Sequence, residues 1–185
     1  NQGRTKFDVG KEICGVLAMA GAKESSMLGL IAWSDQREIY LKPAKGLSKA
    51  YELIYHLLRL KPRSLKTGLA QGILFALNSI KPRSVIIMIS DFIDEGYFHN
   101  LKSMARKHDL VVIHISDRRE TRLPKLGIIP VLDKESNKTI WINTSFGDFR
   151  NVIARHHETR VKALAEFSKK HQVNFLSIDT EEDYV

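Results

Sequence analysis

Hydrophobic positions along the chain follow two patterns, helical spacing and short continuous apolar runs. Residues 5–22 place apolar side chains at the spacing of a helix with one buried face. Residues 27–34 form a continuous apolar run, which predicts a buried strand. Residues 38–41 predict a short neighbouring strand after a polar turn. The chain therefore opens with a helix and two strands.

The next helix is predicted from Ser48 to Leu60. Ser48 is a suitable N-cap residue, because its hydroxyl can accept a hydrogen bond from a free backbone N–H of the first turn. Pro62 should end the helix, since proline cannot continue it. The residues expected to face inward are Tyr51, Ile54, Leu57 and Leu58.

The rest of the chain alternates helix and strand. The predicted elements are a helix over 69–77, a strand over 84–90, a helix over 97–107, a strand over 110–115, a helix over 148–171 and a strand over 174–178. The run over 84–90 is apolar on both faces, as in a parallel strand covered by helices on both sides. The alternation predicts an α/β, doubly wound, mainly parallel sheet with right-handed crossovers. Residues 129–132 and 139–142, around a polar tip, predict a β-hairpin insert.

Composition limits the class of protein. A chain of 185 residues, 43% hydrophobic, fits one domain over residues 1–185, and no apolar run approaches the ~20 residues of a membrane span. The net charge of +8 is spread without a dense basic run, which favours solvated helix faces and acidic protein partners over specific nucleic-acid contact. Cys14 lies among apolar residues of the first helix and is predicted to be core packing.

Two residues are candidates for chemistry, Thr67 and Asp91. Thr67 stands at the start of one predicted helix, and Asp91 directly follows the strand over 84–90. In a doubly wound sheet both positions lie at the carboxyl edge, where ligands bind. A hydroxyl and a carboxylate suit a hard divalent cation such as Mg²⁺. The alternative is that Thr67 is only an N-cap and Asp91 only caps the following turn. His156 and His157 are adjacent on a helix, so they point about 100° apart and are predicted to be surface residues.

Several short motifs together resemble one bacterial family. They are Leu-Lys-Thr67-Gly-Leu, Ile-Ser-Asp91-Phe, the opening Gly3-Arg-Thr-Lys-Phe-Asp8, Trp33-Ser-Asp35, Lys42-Pro43 with Lys45-Gly46, Asp117-Arg-Arg-Glu120 with Leu123-Pro124, and the closing Asp179-Thr-Glu-Glu-Asp-Tyr184. The sequence resembles the von Willebrand factor A-like domain of the bacterial proteins grouped as domain of unknown function 58. The resemblance extends over essentially the whole chain.

The resemblance implies a metal-ion-dependent adhesion site. In such a site a D-x-S-x-S loop, a threonine and an aspartate surround Mg²⁺ or Mn²⁺, and a partner's carboxylate completes the coordination. Thr67 matches the threonine and Asp91 the aspartate, whereas the D-x-S-x-S loop is absent. The ion is therefore expected to bind in the intact protein and to be held poorly by these two ligands alone. The resemblance places that loop and the first central strand just before Gly3, so this chain is expected to be truncated at its N-terminus. Self-association is expected as a consequence, because neighbouring strands would lose a partner.

Function is predicted on the same basis. The family implies a protein-interaction module that works beside a MoxR-type ATPase, and the resemblance establishes no catalysis. The module is expected on the cytoplasmic side of a bacterial cell. One alternative is a metal-dependent phosphohydrolase or nuclease that uses Asp91, Asp94 and Glu95, with Asp117 and Asp179 as further carboxylates. Asp94 and Glu95 have a simpler explanation at the start of the helix over 97–107, where the helix dipole favours negative charge. A second alternative, nucleic-acid binding, rests on positive charge alone.

Overall fold

The structure is a computed structural model that describes residues 5–117, 127–133, 138–143 and 147–181. Contacts divide the chain into two compact units. The first unit comprises Asn1–Arg83 with Asp94–Met104, and the second comprises Ser84–Ile93 with Ala105–Val185. The single domain over residues 1–185 and its truncated start stay predictions.

The first unit contains an antiparallel strand pair and three complete helices. The helices are α1 (Lys6–Lys23), α2 (Leu47–Arg59) and α3 (Leu69–Ser79), and the strands are β1 (Leu28–Trp33) and β2 (Arg37–Ala44). The alanines of α1 and α2 let these helices approach closely, and Ala18, Ala22, Ala50 and Leu53 form their shared core. These bounds confirm the predicted helix, strand pair and helix to within a few residues.

The start of α1 is fixed by a capping box. The Thr5 hydroxyl accepts a hydrogen bond from the backbone N–H of Asp8 at 3.1 Å, and the Asp8 carboxylate accepts from the backbone N–H of Thr5. Thr5 also donates its hydroxyl proton to Asp8 Oδ2 at 2.6 Å. Two residues of the family-like opening motif therefore serve to begin the first helix.

The prediction for α2 is wrong at its start and on its faces. The N-cap is Gly46 at φ +99°, a conformation that favours glycine, and Ser48 lies inside the helix. Tyr51 and Leu58 are exposed, while the buried residues of α2 are Lys49, Ala50, Leu53 and Leu57. The helical period is the same for either face, so the pattern alone did not show which one is buried. The helix ends at Arg59, before Pro62 as predicted.

The second unit contains a parallel sheet of three strands, which lie side by side in the order in which they follow one another along the chain. Its strands are β3 (Val85–Ser90), β4 (Asp109–Ser116) and β7 (Asn174–Asp179). Helix α4 (Phe98–Lys107) connects β3 to β4, and helix α5 (Gly147–Lys170) precedes β7. This arrangement confirms a mixed α/β fold with a parallel sheet.

The strand β3 is less covered than its sequence predicts. Val85 is 64% exposed and Ile87 39% exposed, and both lie on one face of the strand. Within the described residues β3 pairs only with β4, so it is an edge strand there. The prediction that helices cover both faces of this strand is therefore wrong for the first half of β3.

The hairpin insert is confirmed. Strands β5 (Ile128–Asp133) and β6 (Lys138–Asn143) pair antiparallel, from Ile128 opposite Asn143 to Asp133 opposite Lys138. The predicted polar tip spans residues 133–138, of which 134–137 lie outside the described residues. Most of the motif over 117–124 also lies outside them. No helix in the described ranges is long and apolar enough to cross a membrane.

Candidate functional site

Thr67 lies one residue before the N-cap of α3. The N-cap is Gly68, which has no side chain to offer, so the prediction that Thr67 is the cap is wrong. The Asp94 carboxylate supplies the missing acceptor, because the backbone N–H of Leu69 donates to Asp94 Oδ2 at 2.6 Å. The Thr67 side chain is exposed. Its hydroxyl therefore remains a candidate ligand at the start of a helix.

The loop that carries Thr67 lies against the end of β1. A Cβ added at Gly68 would lie 3.0 Å from Asp35 Cα and 3.3 Å from the carbonyl oxygen of Ser34. Gly68 is buried, so only a residue without a side chain allows this approach. The loop is held at a second point by Glu38, whose Oε1 accepts from the backbone N–H of Arg63 at 3.0 Å and from the Ser34 hydroxyl at 2.7 Å.

The first turn of α3 is also anchored by α4. The side-chain amide of Asn100 donates from Nδ2 to the carbonyl oxygen of Ala70 at 2.8 Å. Asp94 and Asn100 thus hold the position of the Thr67 loop from a distant segment of the chain. Sequence reasoning assigned neither role, because hydrogen bonds between residues 25 and 30 positions apart leave no local pattern.

Asp91 stands at the carboxyl end of β3, as predicted. Its side chain is half-buried, and the next residue, Phe92, is fully buried with a positive φ of 50°. The backbone N–H of Phe92 donates to the Ser90 hydroxyl at 3.1 Å. A bulky residue in this conformation costs on the order of 1–3 kcal/mol, and such strain concentrates at functional sites. The turn therefore fixes how the chain leaves the strand at Asp91.

The neighbouring strands also end in carboxylates. Asp117 is buried directly after β4, and Asp179 ends β7. The Asp179 carboxylate accepts from the backbone N–H of Glu181 at 3.0 Å and from the Ser116 hydroxyl at 3.4 Å. Among the described residues no group of three His, Cys, Asp or Glu side chains could hold a metal ion. Thr67 belongs to the first unit and Asp91 to the second, and their shared ligand role stays a prediction.

The two adjacent histidines differ in environment. His156 is exposed as predicted. The surface prediction is wrong for His157, which is half-buried with its ring centroid 5.8 Å from that of His114. His114 is itself buried, and its Nδ1 lies 2.9 Å from the Ser177 hydroxyl. Because His114 stands within the apolar run of β4, the sequence pattern did not indicate this polar contact.

The parallel sheet, the helical connections and the carboxylate at a strand end define an α/β protein that is Rossmann-like in coarse terms. The chain belongs to the family described as protein of unknown function DUF58, whose model matches residues 1–163. Its fold is similar to the crystal structure of the conserved hypothetical protein BatB from Bacteroides thetaiotaomicron, with a TM-score of 0.56 and 14% sequence identity. That likeness covers 94% of this chain and 80% of the other, and it concerns the fold alone. No curated protein matches the chain in sequence.

Proposed function

We propose that this chain is a von Willebrand A-like protein-interaction module in which Thr67 and Asp91 take part in a metal-ion-dependent adhesion site. The observation that carries the proposal is the position of Asp91, a half-buried carboxylate at the end of a parallel strand and beside a strained, buried turn. Carboxyl ends of parallel strands are where α/β sheets bind ligands. Membership of the DUF58 family supports the same assignment.

The chemistry of the two side chains fits Mg²⁺ or Mn²⁺. A threonine hydroxyl and an aspartate carboxylate are hard oxygen ligands, and these ions retain several waters beside such ligands. The D-x-S-x-S loop expected from the family resemblance would supply the remaining protein oxygens. A partner carboxylate would replace one water, so the metal would make binding depend on an acidic residue of the partner. The partner that the resemblance proposes is a MoxR-type ATPase.

The enzyme alternative uses Asp94 as a metal ligand, but both oxygens of this carboxylate accept hydrogen bonds from the backbone. Asp94 Oδ2 accepts from the backbone N–H of Leu69, and Asp94 Oδ1 accepts from that of Glu95. These bonds give Asp94 a structural role at the start of α3. Glu95 is exposed, and its side chain has no role in the described contacts of this turn.

Calorimetric titration with Mn²⁺ of a chain that includes the D-x-S-x-S loop tests the metal proposal. Asp91→Ala and Thr67→Ala should each weaken Mn²⁺ binding by about tenfold or more, because each removes one of few protein ligands. Asp109→Ala is the matched control, since Asp109 is an exposed aspartate at the opposite end of the same sheet. Equal Mn²⁺ affinity in the Asp91→Ala and Asp109→Ala proteins would reject the proposal.

A further inference from the structure

An apolar surface lies on the outer side of the α1 and α2 pair in the first unit. Four large side chains of α2 are at least half exposed, Leu47, Tyr51, Tyr55 and Leu58. Their spacing of four, four and three residues puts them on one face of the helix. Val16 of α1 is exposed to a similar degree. Exposed apolar groups that cluster in this way mark interaction sites more often than scattered ones do.

A groove runs beside this face. It has a volume of about 470 Å³, and its lining includes Gly15, Val16, Met19 and Lys23 of α1 with Ile54 of α2. Gly15 contributes no side chain to the groove, and a Cβ at that position would lie at the ordinary contact distance of 3.8 Å from Ile54 Cγ1. The lining is largely apolar and concave. A concave apolar groove between helices is a shape that receives a third helix.

Basic residues outnumber acidic ones in the part of the chain that forms the groove. Residues 1–83 carry 14 Lys and Arg against 6 Asp and Glu, whereas the other 102 residues carry 15 of each, so the net charge of +8 lies in the first 83 residues. Lys23 lines the groove, and the Arg59 guanidinium lies over the Tyr55 ring, 4.6 Å from its centroid. Lys45 and Lys61, both exposed, flank the ends of α2.

The excess positive charge lies around the exposed face of α2. The Asp8 carboxylate is paired with Lys11 at 2.8 Å and that of Glu52 with Lys49 at 2.9 Å, so each of these pairs is neutral. The groove lining is also neutral, because it holds Glu12 and Lys23. The exposed basic residues Lys45, Arg59 and Lys61 remain on and beside α2. Complementary charge would therefore come from an acidic ligand.

We propose that the groove between α1 and α2 binds an amphipathic helix of a partner protein, with Asp and Glu on both sides of its apolar face. The concave shape favours a helix over a membrane surface, which is flat on this scale. The charge favours an acidic helix over a second copy of this basic chain. This site contains neither Thr67 nor Asp91, so it is independent of the proposed metal site.

Fluorescence anisotropy with a labelled synthetic helix tests this proposal. The probe carries Leu at helical i, i+3, i+4 and i+7 positions with Glu on either side, and the comparison peptide has Lys in place of Glu. Both are titrated in EDTA, so that the result does not depend on a metal. The Glu peptide should bind more tightly than the Lys peptide, and its affinity should fall as salt rises.

Matched variants locate the binding site. Leu58 lies one helical turn after Ile54, which lines the groove. Leu58→Glu should therefore weaken binding of the Glu peptide by about tenfold or more, because it places a carboxylate in the contact face. Leu74→Glu is the control, since Leu74 is half exposed but belongs to α3, which contributes neither to the groove nor to the exposed face of α2. Val16→Glu tests the α1 side and replaces Leu58→Glu if circular dichroism shows that the latter does not fold.

Several results would overturn the proposal. One is equal affinity for the two peptides, and another is an affinity that the Leu58→Glu and Val16→Glu changes leave unaltered. Preferential binding to phosphatidylserine vesicles over the Glu peptide would identify the face as a membrane contact instead. Self-association in sedimentation that Leu58→Glu abolishes would identify it as a homodimer interface.

Discussion

The carboxylate of Asp94 caps the helix that begins at Leu69, with 2.6 Å between Asp94 Oδ2 and the Leu69 backbone nitrogen. The pair is separated by 25 residues, and it replaces the side-chain cap that Gly68 cannot provide. Because Thr67 lies two residues before Leu69, this hydrogen bond also fixes the position of the proposed metal ligand. The structural role of Asp94 is thus to position Thr67 for its proposed role in binding a metal ion.

Removing this cap should destabilise the protein. We expect Asp94→Ala to lower the free energy of unfolding by about 1 kcal/mol, since a lost helix cap leaves a backbone N–H without its acceptor. Asp94→Asn keeps an oxygen acceptor and should therefore lower the free energy of unfolding by less than Asp94→Ala does. Urea denaturation measures both values, and Glu95→Ala, an exposed neighbour, is the control. A loss as large in Glu95→Ala as in Asp94→Ala would argue against the cap.

The Lys11 ammonium and the capping box at α1 should together lower the pKa of Asp8. The hydrogen bond from the Lys11 ammonium, followed by that from the Thr5 hydroxyl, lowers the pKa of Asp8 from 3.8 to about 2. A lowered pKa means that the ionised carboxylate stabilises the folded state above pH 3.8, and that this contribution is lost as the pH falls through about 2. Carbon-13 NMR titration of the Asp8 carboxyl group measures this pKa directly.

Two variants separate the causes of this pKa. Lys11→Gln should raise the pKa of Asp8 more than Thr5→Ala does, because Lys11 is the larger cause. A pKa of Asp8 near 3.8 in the unmodified chain would show that neither the ion pair with Lys11 nor the capping box forms in solution.

Cys14 should react slowly with alkylating reagents. The residue is half-buried, and burial raises the pKa of its thiol from 9.0 to about 11. The thiolate is the reactive form, so the rate of iodoacetamide labelling in the folded chain should keep rising until about pH 11. The urea-unfolded chain should level off near pH 9. Identical pH profiles for the two states would contradict this environment for Cys14.

Two glycines within helices should respond oppositely to substitution by alanine. A Cβ at Gly72 would lie 2.8 Å from Trp33 Cγ, so Gly72→Ala should cost about 1–3 kcal/mol through overpacking. Gly15→Ala places its Cβ at an ordinary contact distance from Ile54 and should stabilise the chain by up to about 1 kcal/mol. Thermal unfolding of both variants gives the sign of each change. Similar shifts in Tm for both would show that the packing around Trp33 is looser than described.

Local patterns predicted the order and type of the elements well. The apolar run of β4 and the helical period of α5 are local signals, and the structure has both elements within about two residues of their predicted bounds. The position of Asp91 followed from the same kind of signal, because a carboxylate after an apolar run marks the end of a strand.

Contacts distant in sequence and the choice of a buried face could not be predicted. Nothing near Asp94 indicates that its carboxylate meets Leu69, since only the fold brings these residues together. Tyr51 and Leu58 have the spacing of a buried face yet are exposed, because a binding face and a core face share one period. The positive φ of Phe92 could not be predicted from its residue type either, because bulky residues rarely adopt a positive φ.

The most direct test of the proposed metal site is paramagnetic broadening of backbone amide NMR signals by Mn²⁺. In a chain that includes the D-x-S-x-S loop, substoichiometric Mn²⁺ should cause selective loss of signals from residues 67–69 and 90–92. The Asp91→Ala chain should keep these signals, and the Asp109→Ala chain should lose them. Broadening centred elsewhere, or broadening that Asp91→Ala leaves unchanged, would contradict the assignment of Thr67 and Asp91 as metal ligands.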